Sequence, residues 1–296
     1  MPNPDGTISW RELQHEAVDR LRAAGIESAE SEARHLVAEA AGATTPAELP
    51  LVYVDHASER GVARFDDMLA RRCAGEPLQY VLGRWGFRSL DLMVDRRVLI
   101  PRPETEAVVE VALAELDRQG GRDRPTTVVD LGTGSGAIAL AIASERVRSA
   151  VWATEVSPDA VAVARANLAG LGRAAARVRV VEGSWFDALP DELRGRVDLV
   201  VSNPPYVATT ASLDPEVADF EPTAALFAGP DGTDDLRTII DGAGAWLSAD
   251  GVMVCELSPE QAESMRAFAS EHFAEVEIHP DLAGRDRALV ARRRIS

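Results

Sequence analysis

Hydrophobic positions recur at helical spacing through the first quarter of the chain and then change to short apolar runs. Leu13, Ala17, Leu21 and Ala24 follow one another three or four residues apart as far as Gly25, behind the capping-box pattern Ser9-Trp10-Arg11-Glu12. Ala33, Leu36, Val37 and Ala40 give a second helix over 29–41 its inner face, and Gly42 ends it. Thr45-Pro46 opens a short helix, and Val62, Phe65 and Leu69 face inward from another over 58–73. Short amphipathic helices on short loops predict a small helical bundle over about the first 75 residues. No chemistry is visible in it. A docking module is favoured over a structural cap, which seldom needs four helices.

The period changes from Gly75 onward. Residues 83–87 and 90–100 read as strands, a hairpin joining the two halves. Pro101-Arg102-Pro103-Glu104-Thr105-Glu106 stops the second strand and starts a helix, with prolines and acids suited to a first turn. Val108, Val111, Ala112 and Leu116 continue it, and 120–125 is a loop. Strands then alternate with helices: 126–131, 149–154, 177–181, 197–202, 251–257, 273–279 and 287–293, with helices near 137–146, 158–170, 233–247 and 259–271. Such alternation predicts an α/β fold around a mostly parallel sheet covered on both faces. Residues 207–230 form a long loop, a length that in a compact domain signals function or mobility. The resulting division is a helical domain at 1–79, a hairpin linker at 80–102 and a catalytic domain at 103–296.

Charge narrows the partners. The formal net charge is −17, and every one of the 31 basic residues is arginine. A duplex-binding protein normally shows a basic face, so direct nucleic-acid binding is not expected. Only 81–125 is balanced, with 8 arginines against 8 acids. Cys73 and Cys255 form no metal-ligand spacing, and the five histidines are scattered, so neither a metal centre nor a disulfide framework is expected. With no apolar leader and no stretch approaching a membrane span, the expected location is cytoplasmic.

Three constellations could carry chemistry in the second half. Asp130-Leu131-Gly132-Thr133-Gly134-Ser135-Gly136-Ala137 joins a strand to a helix, where glycines let a ligand approach the backbone and helix N–H groups face it. Read from Gly132 it also satisfies the dinucleotide pattern G-x-G-x-x-A. Glu155, 19 residues beyond Gly136 at the end of the next strand, can accept both hydroxyls of a ribose. Together they predict a nucleoside-containing cofactor. After the third strand, Ser184 and Trp185 could meet an adenine edge and face, or Trp185 could fill the core. Asp231-Gly232-Thr233-Asp234-Asp235 lacks the ligand alternation of a calcium loop and reads as a helix start.

The remaining stretch is Asn203-Pro204-Pro205-Tyr206, at the end of the apolar run 197–201. Two prolines lack N–H groups and fix φ, so no helix or central strand passes through them. A stiff platform at a strand's carboxyl end is where open α/β sheets bind ligands. Its amide and carbonyls can accept from an N–H₂ group, and its ring offers a stacking face. A tight surface turn is the plainer alternative.

Asp130-Leu131-Gly132-Thr133-Gly134-Ser135-Gly136 followed by Asn203-Pro204-Pro205-Tyr206 resembles S-adenosylmethionine-dependent N-methyltransferases, and more narrowly the HemK/PrmC family. The resemblance includes Gly75-Glu76-Pro77-Leu78-Gln79-Tyr80, Leu99-Ile100-Pro101-Arg102-Pro103-Glu104-Thr105-Glu106, Phe220-Glu221-Pro222 and Asp281-Leu282-Ala283-Gly284-Arg285-Asp286-Arg287. It implies a class I (Rossmann-like) methyltransferase domain of seven strands, one antiparallel near the end, behind a helical domain. It also implies methylation of the glutamine side chain in a Gly-Gly-Gln motif of peptide chain release factors. Gly132, Thr133, Gly134, Ser135 and Gly136 would hold the methionine part of the cofactor, Glu155 its ribose, and Ser184 and Trp185 its adenine, with Asn203 adjoining. Asn203, Pro204, Pro205 and Tyr206 would hold the substrate amide, with Asn203, Pro204 and Tyr206 acting on it. Two positions depart from the family pattern: Glu155 stands where aspartate is common, and Ser184 where some relatives carry aspartate. A protein substrate would touch 81–125 and 207–230. A nucleic-acid adenine N6-methyltransferase is the alternative, because adenine also presents an N–H₂ group.

Overall fold

A computed structural model of the protein describes residues 8–43, 48–120 and 122–295, so the helix start expected at Thr45-Pro46 lies outside the described residues. The chain divides into two compact units, Met1–Gly83 with Asp214–Phe220, and Arg84–Leu213 with Glu221–Ser296.

The first unit is helical. Helix α1 (Trp10–Ala23) begins in the expected box: Glu12 N–H donates to Ser9 Oγ at 3.3 Å, and Ser9 N–H donates to the Glu12 carboxylate at 2.9 Å. Helix α2 (Ala29–Ala41) ends at Gly42, whose φ of 75° is the left-handed conformation that glycine adopts without penalty. Helix α3 (Leu49–Val52) is one turn long, α4 (Glu59–Cys73) starts under a Ser58 cap, and α5 (Leu78–Leu82) was not foreseen. Leu13, Ala17, Leu21, Ala33, Leu36, Val37, Phe65 and Leu69 are buried as expected, but Val62 is half-buried and Ala24 is exposed beyond the end of α1. Trp10 closes the core over Gly61, where an added Cβ would come within 2.9 Å of the indole. Among the described residues of this unit one cation is buried. Arg72 donates to Glu32 at 2.6 and 3.3 Å, to Glu216 at 3.2 Å and to the Glu76 carbonyl at 3.1 Å, so its charge is paired and most of its donors are used.

The second unit opens with a hairpin, β1 (Arg84–Phe87) against β2 (Leu90–Met93), paired from Arg84 opposite Met93 to Phe87 opposite Leu90. Its turn residue Arg88 sits at φ 51°, and its side chain grips Glu145 at 2.5 and 2.8 Å and Glu110 at 3.0 Å. The strand expected over 90–100 stops at Met93. Asp95 breaks it: its carboxylate accepts the Arg97 N–H at 3.1 Å and its carbonyl the Val98 N–H at 3.1 Å, closing a turn inside the apolar run.

Helix α6 (Pro103–Arg118) then leads into β3 (Thr126–Leu131), α7 (Ala137–Glu145), β4 (Ser149–Glu155), α8 (Pro158–Gly170), β5 (Val178–Glu182) and β6 (Val197–Ser202). The long segment after β6 is not irregular throughout, because it holds α9 (Pro215–Phe220) and a 3₁₀ turn at Thr223–Ala225. There follow α10 (Asp234–Trp246), β7 (Leu247–Glu256), α11 (Ala262–Ala269), β8 (Phe273–Pro280) and β9 (Asp286–Arg294). The helix expected over 259–271 begins as a 3₁₀ turn, Pro259–Gln261, under a Ser258–Gln261 capping box. The sheet order is β5-β4-β3-β6-β7-β9-β8, parallel except for β9, which runs against both its neighbours. This is the mostly parallel sheet that the alternating pattern predicts. Successive residues of the central strands feed opposite cores: Val128, Leu199, Val201 and Val254 face one layer with α6 and α7, and Val129, Leu131, Val200 and Met253 the other with α10 and α11. Among the described residues no helix is long and apolar enough to cross a membrane, no acid–His–Cys group could hold a metal, and both cysteines are free.

Candidate active site

Register brings the site residues to one edge. Leu131 lies opposite both Thr154 and Ser202, and Ser202 opposite Cys255, so β3, β4, β6 and β7 leave the sheet together. The chain turns back on either side of β3, to β4 one way and β6 the other, which is the switch point where such sheets bind ligands.

The glycine loop runs through backbone conformations that side-chain-bearing residues rarely adopt. Gly132, Gly134 and Gly136 have φ of 69°, 54° and 88°. A Cβ on Gly132 would come within 3.0 Å of the Trp185 ring, whereas one on Gly134 would meet nothing within 4 Å. Gly134 therefore faces open space, and its N–H donates to Glu155 Oε2 at 2.9 Å. The other Glu155 oxygen accepts the Ser157 N–H at 3.0 Å. A carboxylate offers about four lone-pair sites, so Glu155 holds the loop and keeps acceptors to spare. Asn167 pins the far side by donating to the carbonyls of Ser135 at 2.9 Å and Met93 at 3.0 Å. Beneath the loop Asp130 is wholly buried and accepts from Thr133 Oγ1 at 2.6 Å and Ala139 N–H at 3.1 Å, but its Oδ1 has no partner. Burial pushes its pKa up to about 7, against the pull of those two donors.

Trp185 is half-buried at φ 40°, a left-handed conformation that a bulky residue seldom adopts. Gly183 permits this turn, since a Cβ there would lie 2.8 Å from Ala188. The indole packs against one core and also lines the cleft.

Across the cleft, Asn203 Nδ2 donates to Thr105 Oγ1 at 3.2 Å, and Thr105 Oγ1 donates to Glu256 Oε2 at 2.7 Å. Asn203 Oδ1 is buried without a partner. Tyr206 points its hydroxyl at the other Glu256 oxygen, 3.4 Å away. Burial pushes the Glu256 carboxyl up to about 7, opposed by the Thr105 hydrogen bond and the positive field of Arg287. Burial, and then the nearby Glu256, likewise raise the Tyr206 phenol. The platform's backbone is clasped by Gln261, whose Nε2 donates to the carbonyls of Tyr206 at 3.0 Å and Gly232 at 2.9 Å. A side chain at Gly232 is excluded, because its Cβ would lie 2.3 Å from the Tyr206 carbonyl.

These parts enclose a cleft of 310 Å³ lined by Gly132, Thr133, Gly134, Ser135, Glu155, Ser184, Trp185, Asn203 and Pro205 among others. Gly136, Pro204 and Tyr206 do not line it: Gly136 turns into α7, Pro204 is buried, and the Tyr206 hydroxyl is directed at Glu256. The opposite rim, Leu99 and Pro101 facing Pro222, is anchored by Glu221, which accepts the Ile100 N–H at 3.3 Å and pairs with Arg102.

The chain is 42% identical over 279 residues to the release factor glutamine methyltransferase of Cereibacter sphaeroides, covering 93% of this chain and 95% of that one. It is 40% identical over 292 residues to the protein of the same name from Moorella thermoacetica, covering 97% and 99%. The chain belongs to the release factor glutamine methyltransferase family. Residues 12–83 match the PrmC N-terminal domain and residues 109–227 the methyltransferase small domain. The fold is that of the T. thermophilus 16S rRNA N2 methyltransferase RsmC in complex with AdoMet and guanosine (TM-score 0.51, 19% identity, 71% of this chain and 50% of that one). A methyltransferase from Pyrococcus furiosus shares it as well (TM-score 0.51, 16% identity, 78% and 100%).

Within this family member, three residues of the site escaped sequence reasoning. Thr105 lies within the Ile-Pro-Arg-Pro-Glu-Thr-Glu stretch and Asp130 opens the glycine motif, neither with a role that the pattern assigns, and Glu256 belongs to no motif. A signal for Glu256 existed: an acid ends the apolar run 252–255, where a buried strand leaves the sheet beside the Asn203 strand.

Proposed function

We propose that the protein transfers a methyl group from S-adenosylmethionine to the side-chain amide nitrogen of the glutamine in the Gly-Gly-Gln motif of a peptide chain release factor. The observation that carries this reading is the buried, unpartnered Asn203 Oδ1 on the cleft wall, an acceptor that awaits an N–H donor. Family membership supplies the donor's identity, and it does not favour the adenine alternative.

The residues present fit the cofactor. Gly134 opens on unfilled space, Glu155 retains free lone pairs for ribose hydroxyls, and Trp185 and Ser184 flank the far end of the cleft. Gly132, Thr133, Gly134, Ser135 and Gly136 hold the methionine part, with Gly136 acting through the backbone turn it permits. When bound, S-adenosylmethionine supplies an electrophilic methyl group. A carboxamide nitrogen is a poor nucleophile because its lone pair is delocalised, so the chain's task is orientation. Asn203 Oδ1 and the Pro204 carbonyl each accept one N–H of the glutamine amide, holding its plane and drawing electron density toward nitrogen. Pro205 and Tyr206 border that amide, and the prolines keep the acceptors from moving. Orientation of this kind contributes roughly 7–11 kcal/mol in the best intramolecular cases. The helical unit docks the release factor, and the reaction takes place in the cytoplasm.

The test is direct. The protein is incubated with methyl-labelled S-adenosylmethionine and a purified release factor, and the label is mapped by mass spectrometry. Label on the Gly-Gly-Gln glutamine, lost when that glutamine is replaced, supports the reading; label on DNA in a parallel incubation, with none on the release factor, refutes it.

A further inference from the structure

Glu256 has no task in the reading above, yet it is wholly buried at the end of β7 and two of its oxygens are spoken for from two directions. It receives the Thr105 hydroxyl from α6 and faces the Tyr206 hydroxyl from the platform. The other charged groups bearing on it are Arg287 on β9, itself 3.9 Å from Asp281, and Glu104 on α6. A carboxylate only accepts. The Thr105 proton is therefore committed to Glu256, and the Thr105 oxygen can offer Asn203 only a lone pair. Asn203 must answer with its N–H₂ and turn Oδ1 toward the cleft.

We propose that Glu256 is a positioning residue which, through Thr105, sets the orientation of the Asn203 amide so that its oxygen faces the substrate. This deepens the proposed function and rests on it, because the oriented oxygen matters only if a substrate N–H₂ meets it. Protonation of Glu256 removes the constraint: a neutral acid can donate to Thr105, whose own proton is then free to point at Asn203. The amide can then reverse at little cost and present N–H₂ to an N–H₂. The competent form is the ionised one, so turnover falls as pH drops through the Glu256 pKa, which burial holds at about 7.

Steady-state methylation of the release factor at saturating S-adenosylmethionine, from pH 5.5 to 9, tests this. Glu256→Gln and the near-isosteric Thr105→Val should each lower kcat about 10- to 100-fold, the range for a lost hydrogen bond to a charged group. Thr105→Ser, which keeps the hydroxyl, should retain most activity. The wild-type kcat should rise with pH as one group titrates near 7, and Glu256→Gln should lack that limb. Glu256→Gln with wild-type kcat and an intact acid limb overturns the positioning role, as does Thr105→Val with full activity. Asn203→Ala separates the two levels. If it abolishes turnover while Glu256→Gln does not, only the positioning role fails; if it leaves kcat intact, the reading of the site fails with it.

Discussion

Replacing Asn203 by aspartate changes one atom and should create a pH-dependent loss of stability. The nitrogen that donates to Thr105 becomes an oxygen that cannot, and one hydroxyl is then asked to serve two carboxylates. The hydrogen bonds of 3.2 and 2.7 Å place the facing oxygens of residues 203 and 256 within about 6 Å of each other. At an effective dielectric of about 20, two unit charges at that separation repel by about 3 kcal/mol. Glu256 titrates near 7 in the wild type because burial disfavours its charge. Below that pH it is neutral, so the new aspartate meets no like charge. Above it both groups are ionised, or a proton is held at comparable cost. The penalty of Asn203→Asp should therefore be about 3 kcal/mol at pH 8.5 and far smaller at pH 5.5. Urea denaturation of wild type and variant at the two pH values, followed by tryptophan fluorescence, measures it. Glu256→Gln introduced alongside should abolish the difference between the two pH values. An equal penalty at both would refute the coupling of Asn203 to Glu256.

Gly132→Ala forces an L side chain to φ 69° with its Cβ 3.0 Å from Trp185; it should cost about 1–3 kcal/mol and weaken S-adenosylmethionine binding, read by calorimetric titration. Arg72→Met leaves the nearly buried Glu32 without its cation in the helical unit and should cost about 3–5 kcal/mol, with Glu32→Gln restoring part of it in a chemical melt. Asp130, raised from 3.8 to about 7 by burial, binds a proton in the folded state that the unfolded chain has already released. Its contribution is thus fully present below pH 3.8 and lost as pH rises through 7, about 4 kcal/mol for a shift of that size. The stability difference between wild type and Asp130→Asn, measured across that range, should fall with rising pH; a difference that stays flat would contradict this assignment.

What could be read from the sequence was what neighbours along the chain decide. The Ser9–Glu12 box, the glycine turn after β3, the acid Glu155 at the end of β4 and the Pro-Pro turn after β6 are each set within a few residues, and each lies where its pattern implies. Errors arose where a polar side chain overrode a local pattern. Asp95 closes a turn inside an apolar run that alternation extends to Ile100, and the Ser258–Gln261 box starts the α11 segment as a 3₁₀ turn. The third kind of feature was beyond reach. Asn203 and Glu256 lie 98 and 151 residues beyond Thr105 along the chain, and only the register of β6 against β7 puts two of them side by side. The acid that ends the apolar run 252–255 singles out Glu256, but nothing along the chain pairs it with Thr105 or Asn203.

That long-range triad also explains how a site can hold an acid without using it as a base. A carboxylate placed directly against a substrate amide would attract both N–H groups and bind the unreactive planar form tightly, which lowers KM and leaves the barrier in place. Set one hydroxyl and one amide back, the charge of Glu256 never touches substrate. It acts instead on a neutral acceptor, Asn203 Oδ1, fixing its direction before the substrate arrives, so that no reorganisation is needed at the moment of reaction. The cost is the desolvation that raises the Glu256 pKa to about 7, within reach of ordinary pH. Tyr206 and Arg287 then have a consistent purpose. One hydroxyl and one cation counter that desolvation and keep the acid ionised often enough to hold the amide in place.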